Sequence, residues 1–281
     1  PSSINKNVKV DVAIVGDAGA TLAALIECWK AEEAPQDKLA ITEWWRTIDG
    51  WRRKDCLQYR QEGSIIKPQH AVKRLYELTR DSGRETFITT EVGQHQMWAA
   101  QYFGFQKPNH WMTSGGLGTM GYGLPAAMGV QIAHPDALVI DIAGEASILM
   151  NIQEMGTLAQ YRLPVKVFIL NNEYMGMVRQ WQELLHGSRY SESYSAALPD
   201  FVKLAESFHA TGMRVTDAAE LDDAIRAMLA HPGPVIADIA VAKDENCFPM
   251  IPSGAAHNEM ILAPGQEGGV AGVTDEGKVL V

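Results

Sequence analysis

Glu145 and Asn172 stand 27 positions apart, in the stretches Gly144-Glu145-Ala146-Ser147 and Asn171-Asn172. A carboxylate and a carboxamide at that separation are too distant to share a helix. They converge if a turn, a helix and a strand lie between them. Ser147 to Tyr161 has helical character, and Val165 to Leu170 is an apolar, β-branched run of strand length. Strand, turn, helix, strand brings both tips to the same carboxyl edge of a parallel sheet, where open α/β folds bind ligands. One acid oxygen and one amide oxygen suit a hard divalent ion that keeps its other positions for water and phosphate, as Mg²⁺ does.

Other residues fit the same edge. Val92-Gly93-Gln94-His95 follows the short strand Phe87–Thr90. Gly144, Ala146 and Ser147 open a helix whose free N–H groups and dipole favour an anion. Gly115-Gly116-Leu117-Gly118 precedes a helix and is followed by Met120, large, apolar and adaptable. Met177 and Trp181 share a helical face. Each has a plainer alternative. Glu145 reads equally as a helix-start acid, Ser147 as a cap and Asn171 as a turn residue. His95 is a candidate structural histidine, and Met120, Met177 and Trp181 are candidate core side chains.

Strands alternating with helices position these groups. Val8–Val15 reads as a strand ending at Gly16-Asp17-Ala18, with a helix from Ala20 to Lys30. Pro68 starts a helix to about Thr79. Helices are expected at 126–132, 201–208 and 218–230, and strands at 137–142 and 234–241. The pattern predicts an α/β fold, a doubly wound, mainly parallel sheet with helices on both faces. A charged, Trp-rich stretch ending near Glu62-Gly63 divides it: 1–62 as the end of one α/β domain plus a linker, and 63–281 as a ligand-binding domain with a C-terminal arm. The Gly-rich tail near 264–278 reads as disordered.

The 281 residues are 46% hydrophobic and 21% charged, the profile of a globular protein. A net charge of −10 argues against nucleic acid and anionic membranes as partners, and no apolar run is long enough for a membrane span. Cys28, Cys56 and Cys247 lack CxxC spacing and read as reduced thiols of a cytoplasmic, or organellar, protein. Any anionic ligand is therefore held by local dipoles and a metal. The start at Pro1 reads as the middle of a longer subunit.

Gly-acid-small-Ser followed by Asn-Asn resembles the diphosphate-and-metal motif of thiamine-diphosphate enzymes. Four further blocks, Glu91–Trp98, Gly115–Gly121, Gly176–Gln182 and Pro249–Gly254, extend the resemblance over essentially the whole chain to the catalytic large subunit of acetohydroxyacid (acetolactate) synthase. Glu145 departs from the family's usual Asp by one methylene; the ligating group is the same. The resemblance implies thiamine diphosphate and Mg²⁺ as cofactors. Glu145, Asn172 and the Tyr174 carbonyl would hold the metal. Val92, Gly93, Gln94 and His95, with Gly144, Ala146 and Ser147, would hold the diphosphate. Gly118, Met175, Gly176, Met177 and Val178 would line the cofactor, and Met120 would wedge between its rings. Trp181 would shape the pocket for the second 2-keto acid. Ser253 and Gly254 would lie near the pocket mouth. Gly16, Asp17 and Ala18 would end an FAD site whose remainder is not in this chain.

The implied reaction joins pyruvate, after loss of carbon dioxide, to pyruvate or 2-ketobutyrate, in branched-chain amino-acid synthesis. The implied partners are the missing N-terminal part of the subunit, further copies in a homodimer or tetramer, and a regulatory small subunit. A sister thiamine enzyme (decarboxylase, oxidase or glyoxylate carboligase) and a non-catalytic cofactor-binding module are the alternatives.

Overall fold

A computed structural model describes residues 2–6, 8–32, 37–252, 255 and 259–263. Ser253, Gly254 and the 264–278 tail lie outside the described residues. The chain divides into two compact units, Pro1–Asp55 and Cys56–Val281.

In the first unit, α1 (Ala18–Ala31) and α2 (Lys38–Arg52) are each N-capped by an aspartate, Asp17 and Asp37. Neither helix buries a residue. Val8–Val15, read from its alternation as a strand, is irregular here and its side chains are exposed. A strand needs a neighbour to complete its ladder, and the described residues of this unit supply none.

The second unit begins before the 62/63 boundary expected from sequence. Tyr59 packs edge-on against Tyr102 at 5.6 Å, and the Leu57 carbonyl accepts from the Tyr102 hydroxyl at 3.2 Å. Six parallel strands form its sheet: β1 (Thr86–Thr90), β2 (Trp111–Thr113), β3 (Leu138–Gly144), β4 (Lys166–Asn171), β5 (Thr211–Val215) and β6 (Val235–Ala240), in the order β2-β1-β3-β4-β6-β5. Every pairing is parallel. One face is covered by α3 (Pro68–Asp81), α4 (Gln94–Tyr102) and α10 (Leu221–Ala230), packed around Trp98, Leu75, Phe168 and Ile225. The other carries α5 (Gly123–Ala133), α7 (Glu154–Tyr161) and α9 (Phe201–Ser207), around Leu124, Leu158 and Phe201.

This topology positions the site. From β1 the chain crosses by α4 to the edge strand β2. From β3 it crosses by α6 (Glu145–Ile148) and α7, on the opposite face, to β4. The connections leaving β1 and β3 thus diverge, and a crevice opens between their carboxyl ends, the switch point at which such sheets bind ligands. The helix expected over Ser147–Tyr161 is broken into α6, a single 3₁₀ turn at Leu149–Asn151, and α7.

At the opposite edge, β4 begins with a buried lysine. Lys166 Nζ donates to the carbonyls of His231 at 2.7 Å and Gly233 at 2.5 Å, and it makes no ion pair among the described residues. Burial lowers its pKa from 10.5 to about 8. The native state therefore holds its proton less firmly than the unfolded chain, and stability rises with pH between about 8 and 10.5. Lys166→Met is expected to lack this rise. The stability gap between wild type and variant should shift toward wild type across that window, on the order of 1–3 kcal/mol, in urea titrations at each pH.

Candidate functional site at the switch point

The crevice is a cavity of about 530 Å³. Its walls come from the ends of β1, β3 and β4, from α4 and α8 (Gly176–Leu184), and from residues 249–251. Glu145 and Asn172 both line it and are almost fully buried. Parallel register sets Gly144 beside Leu170, so the two residues that follow the strands emerge side by side. Burial raises the pKa of the Glu145 carboxyl to about 7, against the smaller lowering effect of the nearby backbone N–H groups of Glu145 and Asn172. Its Oε1 has no hydrogen-bond partner among the described residues.

Asn172 is fixed from two sides. Its Oδ1 accepts from Tyr174 N at 3.1 Å, and its Nδ2 donates to Gln94 Oε1 at 3.2 Å. One lone pair on Oδ1 is left. Asn171 is the turn residue: its amide donates to Asp238 Oδ1 at 2.9 Å and accepts from Glu173 N at 3.1 Å. No group of three or more Asp, Glu, His or Cys side chains gathers around a metal position among the described residues. A cation here would rest on one carboxylate, amide and carbonyl oxygens, and oxygens from its ligand.

His95 and its glycines form the facing wall. A Cβ on Gly144 would lie 2.7 Å from His95 Nδ1, and one on Gly93 would lie 2.7 Å from Cε1. The ring sits where side chains would otherwise be. Gly93 also has φ +154°, outside the range other residues readily adopt. Burial lowers the His95 pKa to about 3, so the ring is neutral, and its buried Nε2 has no partner among the described residues. Two orphaned polar atoms, Glu145 Oε1 and His95 Nε2, thus belong to one cavity bordered by Gly93, Gly144, Ala146 and Gly176. Buried polar atoms without partners are uncommon; a cation and an oxygen-rich anion would satisfy both.

Several side chains have commitments that sequence spacing does not reveal. Ser147 Oγ accepts from Gly144 N and donates to Gly144 O, both at 3.1 Å. Gly144 is the N-cap of α6, and Ser147, three positions on, closes the capping box from inside the helix. The Gln94 amide donates to Gln180 Oε1 at 2.9 Å and to Glu245 O at 3.0 Å. With its bond to Asn172, it is a strut joining α4, α8 and the C-terminal segment.

Pro249–Gly254 is expected from sequence as an arm near the pocket; what sequence reasoning missed is the Glu245–Phe248 stretch that anchors it. Gln180 donates to Cys247 O at 3.2 Å and accepts from Cys247 N at 2.7 Å, while Gln101 donates to Phe248 O at 3.1 Å. These bonds hold Pro249, Met250 and Ile251 against the cavity. Gln180, between Arg179 and Trp181 on α8, is an ordinary polar residue in sequence and names no partner. Gln96, Met97, Trp98 and Leu170 also line the cavity without having been singled out for it.

Met120 lines the cavity from a loop anchored by Glu91. The fully buried Glu91 carboxylate accepts from Gly121 N at 2.6 Å and Leu124 N at 3.1 Å. Asn151 Nδ2 donates to Gly121 O at 2.6 Å. Glu91→Gln turns one acceptor oxygen into a donor facing an N–H group. It is expected to lower unfolding stability by about 1–3 kcal/mol in urea denaturation.

Val92, Tyr174, Met175, Gly176, Met177, Val178 and Trp181 all line the cavity. Gly118 does not; a Cβ there would lie 3.8 Å from Val92 Cγ1, behind the lining. Gly16, Asp17 and Ala18 belong to the first unit, where Asp17 Oδ1 accepts from Ala20 N at 2.8 Å and caps α1.

Residues 91–239 match the sequence family described as "Thiamine pyrophosphate enzyme, C-terminal TPP binding domain". The chain is 41% identical over 268 residues to the acetolactate synthase large subunit of Haemophilus influenzae, covering 95% of this chain and 46% of that protein. It is 43% identical over 266 residues to the acetolactate synthase isozyme 3 large subunit of Escherichia coli (94% and 46% covered). To the acetolactate synthase large subunit of Porphyra purpurea it is 42% identical over 270 residues (95% and 45% covered). The chain spans about half the length of these curated relatives.

Proposed function

The chain belongs to the thiamine pyrophosphate enzymes, and on that premise we propose that it is the cofactor-binding part of an acetolactate synthase catalytic subunit. The substrates would be pyruvate and a second 2-keto acid, pyruvate or 2-ketobutyrate. The observation that carries this reading is the meeting of Glu145 and Asn172 beside His95 in a glycine-walled cavity, with Glu145 Oε1 and His95 Nε2 unpartnered.

The residues fit both groups. Glu145, Asn172 Oδ1 and the Tyr174 carbonyl would hold Mg²⁺, which takes few protein ligands and completes its shell with water and phosphate. Gly144, Ala146 and Ser147 on one side, and Val92, Gly93, Gln94 and His95 on the other, would flank the diphosphate, with Gly118 behind them. The lining gives Gln94 and Ser147 supporting parts: the first holds Asn172, the second holds the Gly144 turn. Met120 would meet the cofactor rings, with Met175, Gly176, Met177 and Val178 completing the wall. Thiamine diphosphate, when bound, supplies the electron sink that decarboxylation of a 2-keto acid needs. The protein positions both substrates and excludes water with Met120, Met177, Trp181 and Met250. One extra methylene on the second substrate gains about 1–3 kcal/mol of apolar contact, which Trp181 would supply.

The first unit would be the end of a central domain contributing Gly16, Asp17 and Ala18 to FAD. Asp17 Oδ1 is already committed to α1. The rest of the subunit, a homodimer or tetramer, a regulatory small subunit and a cytoplasmic or organellar setting complete the proposal. No helix among the described residues is long and apolar enough to cross a membrane.

Calorimetry tests the reading. Thiamine diphosphate should bind this chain with Mg²⁺ and not with a chelator; absence of heat in both conditions would overturn it. This chain alone is expected not to convert pyruvate to acetolactate. Acetaldehyde or acetate as the product of a longer subunit would favour a sister enzyme.

A further inference from the structure

The turn that follows β4 carries Asn172 and Tyr174, two of the three proposed cation ligands, with Glu173 between them. Glu173 has φ +62°. A residue other than glycine enters that left-handed region at a cost, so this backbone has to be held. The 193–195 segment holds part of it: Ser195 N donates to Glu173 O and Met175 N donates to Ser193 O, both at 2.8 Å. The Glu173 carboxylate pairs with Lys243 and accepts from the Tyr194 hydroxyl at 3.2 Å. Glu173 N, where the chain turns left-handed, donates to Asn171 Oδ1 at 3.1 Å.

An asparagine amide does this only when its oxygen faces the turn; reversed, it presents an NH₂ group instead. Asp238 sets which way round it lies. Asp238 is fully buried in β6, in the otherwise apolar run Val235-Ile236-Ala237-Asp238-Ile239-Ala240. A carboxylate is costly to bury, and an apolar side chain would serve the sheet better. Register sets Asp238 between Ile169 on β4 and Arg214 on β5. Asn171, two residues beyond Ile169, shares its face. Asp238 Oδ1 accepts from Asn171 Nδ2 at 2.9 Å, and Oδ2 accepts from the half-exposed Arg214. A carboxylate can only accept, so the Asn171 NH₂ turns to Asp238 and its oxygen turns to Glu173 N.

We propose that Asp238 is a positioning residue for the divalent cation: through Asn171 it fixes the Glu173 turn, and with it the spacing of the Asn172 and Tyr174 oxygens. Arg214 balances the buried charge and takes no part in that spacing. This role rests on the function proposed above and adds to it a residue that touches neither cation nor cofactor. Mg²⁺ demands short, near-octahedral coordination, whereas Ca²⁺ is larger and accepts irregular shells. A turn without its anchor therefore penalises Mg²⁺ more than Ca²⁺. General loosening of the fold would lower both alike.

The test is calorimetric titration of thiamine diphosphate into the chain, once in excess Mg²⁺ and once in excess Ca²⁺. Asp238→Ala should weaken binding at least about tenfold with Mg²⁺, the usual scale for losing a partner behind a metal ligand, and less than about threefold with Ca²⁺. Asp238→Asn keeps an oxygen for Asn171 and should stay within about threefold of wild type with either ion. Arg214→Gln should bind as wild type does. Asn171→Ala should reproduce the Asp238→Ala pattern, and the double variant should add nothing further; Asn171→Ala alone carries the test if Asp238→Ala does not fold. Wild-type affinity with Mg²⁺ in Asp238→Ala or Asn171→Ala, equal losses with the two ions, a loss in Asp238→Asn as large as in Asp238→Ala, or an additive double variant would each overturn the proposal. A wild-type chain that binds thiamine diphosphate with neither ion would remove the function proposed above, and this role with it.

Discussion

Glu145→Gln is expected to weaken Mg²⁺-supported binding of thiamine diphosphate by about a hundredfold, or roughly 2.7 kcal/mol, while making the ligand-free chain more stable at pH 8. Both effects have one cause. The carboxyl is 1% exposed and one oxygen is unpartnered. Its pKa, raised from 4.5 to about 7, measures how poorly the empty pocket tolerates the anion. A raised carboxyl pKa means the native state binds its proton more tightly than the unfolded chain. The ligand-free protein therefore loses stability as pH rises from 4.5 to about 7 and carries the full penalty above that. Glutamine keeps the shape, never ionises and escapes the penalty. It also removes the only carboxylate that lines the cavity among the described residues, and a hard cation loses its one charged ligand. Chemical denaturation of the ligand-free proteins at pH 5 and pH 8, with calorimetry at pH 8, separates the two effects. A variant that binds as wild type does, or is less stable at pH 8, contradicts the assignment. Glu145→Asp keeps the charge and should retain Mg²⁺ dependence.

The elements that sequence made legible were those in which burial dominates. β3, β4 and β6 are mainly apolar runs buried on both faces, and β1 is a short β-branched one; such runs read clearly. β2 and β5 were missed because they are the two edges of the sheet. β2 has three residues, and β5 includes Gly212 and an exposed Arg214. Val8–Val15 failed in the opposite sense: alternation shows that a strand is possible, but a strand also requires a partner. Lys166 shows that a charged residue can open a buried strand when carbonyls receive its ammonium.

The site divides along the same line. Glu145 and Asn172 were legible because the strand–helix–strand interval fixes which edge they reach. Pairings across the fold were not. That Gln94 would bind Asn172, Gln180 and the Glu245 carbonyl depends on three segments converging, and each partner is an ordinary polar residue in its own segment. The buried carboxyls of Glu91 and Asp141 likewise come close enough to influence one another only because β1 pairs with β3, which sets Asp141 beside Thr89. Burial, then the charge of Glu91, raises the Asp141 pKa well above the usual carboxylate range, and Asp141 Oδ2 has no partner.

Gly123→Ala should therefore be among the most damaging single-methyl additions to this unit, lowering stability by about 3 kcal/mol. Gly123 is the first residue of α5 and fully packed against the sheet. A Cβ there would overlap Asp141 Oδ1 and would lie 2.7 Å from Glu91 N and 2.8 Å from the Thr90 carbonyl carbon. A side-chain oxygen can rotate away; two backbone atoms of a central strand cannot. The start of α5 would have to lift, breaking the bonds from Gly121 and Leu124 to Glu91 and shifting the loop that carries Met120. Loss of thiamine diphosphate affinity should accompany the loss of stability. Removing Asp141 as well, in Gly123→Ala/Asp141→Ala, should recover little, because the backbone contacts remain. Gly129→Ala is the matched control. It lies on the same helix, is exposed, and a Cβ there meets nothing within 4 Å. It should raise stability by about 0.5–1 kcal/mol, the helix-propensity difference between glycine and alanine. Urea titration of the four proteins, with calorimetry on each, reads all of these at once. If Gly123→Ala and Gly129→Ala proved equally harmless, the packing of α5 against β1 and β3, and with it the placement of Met120, would be wrong.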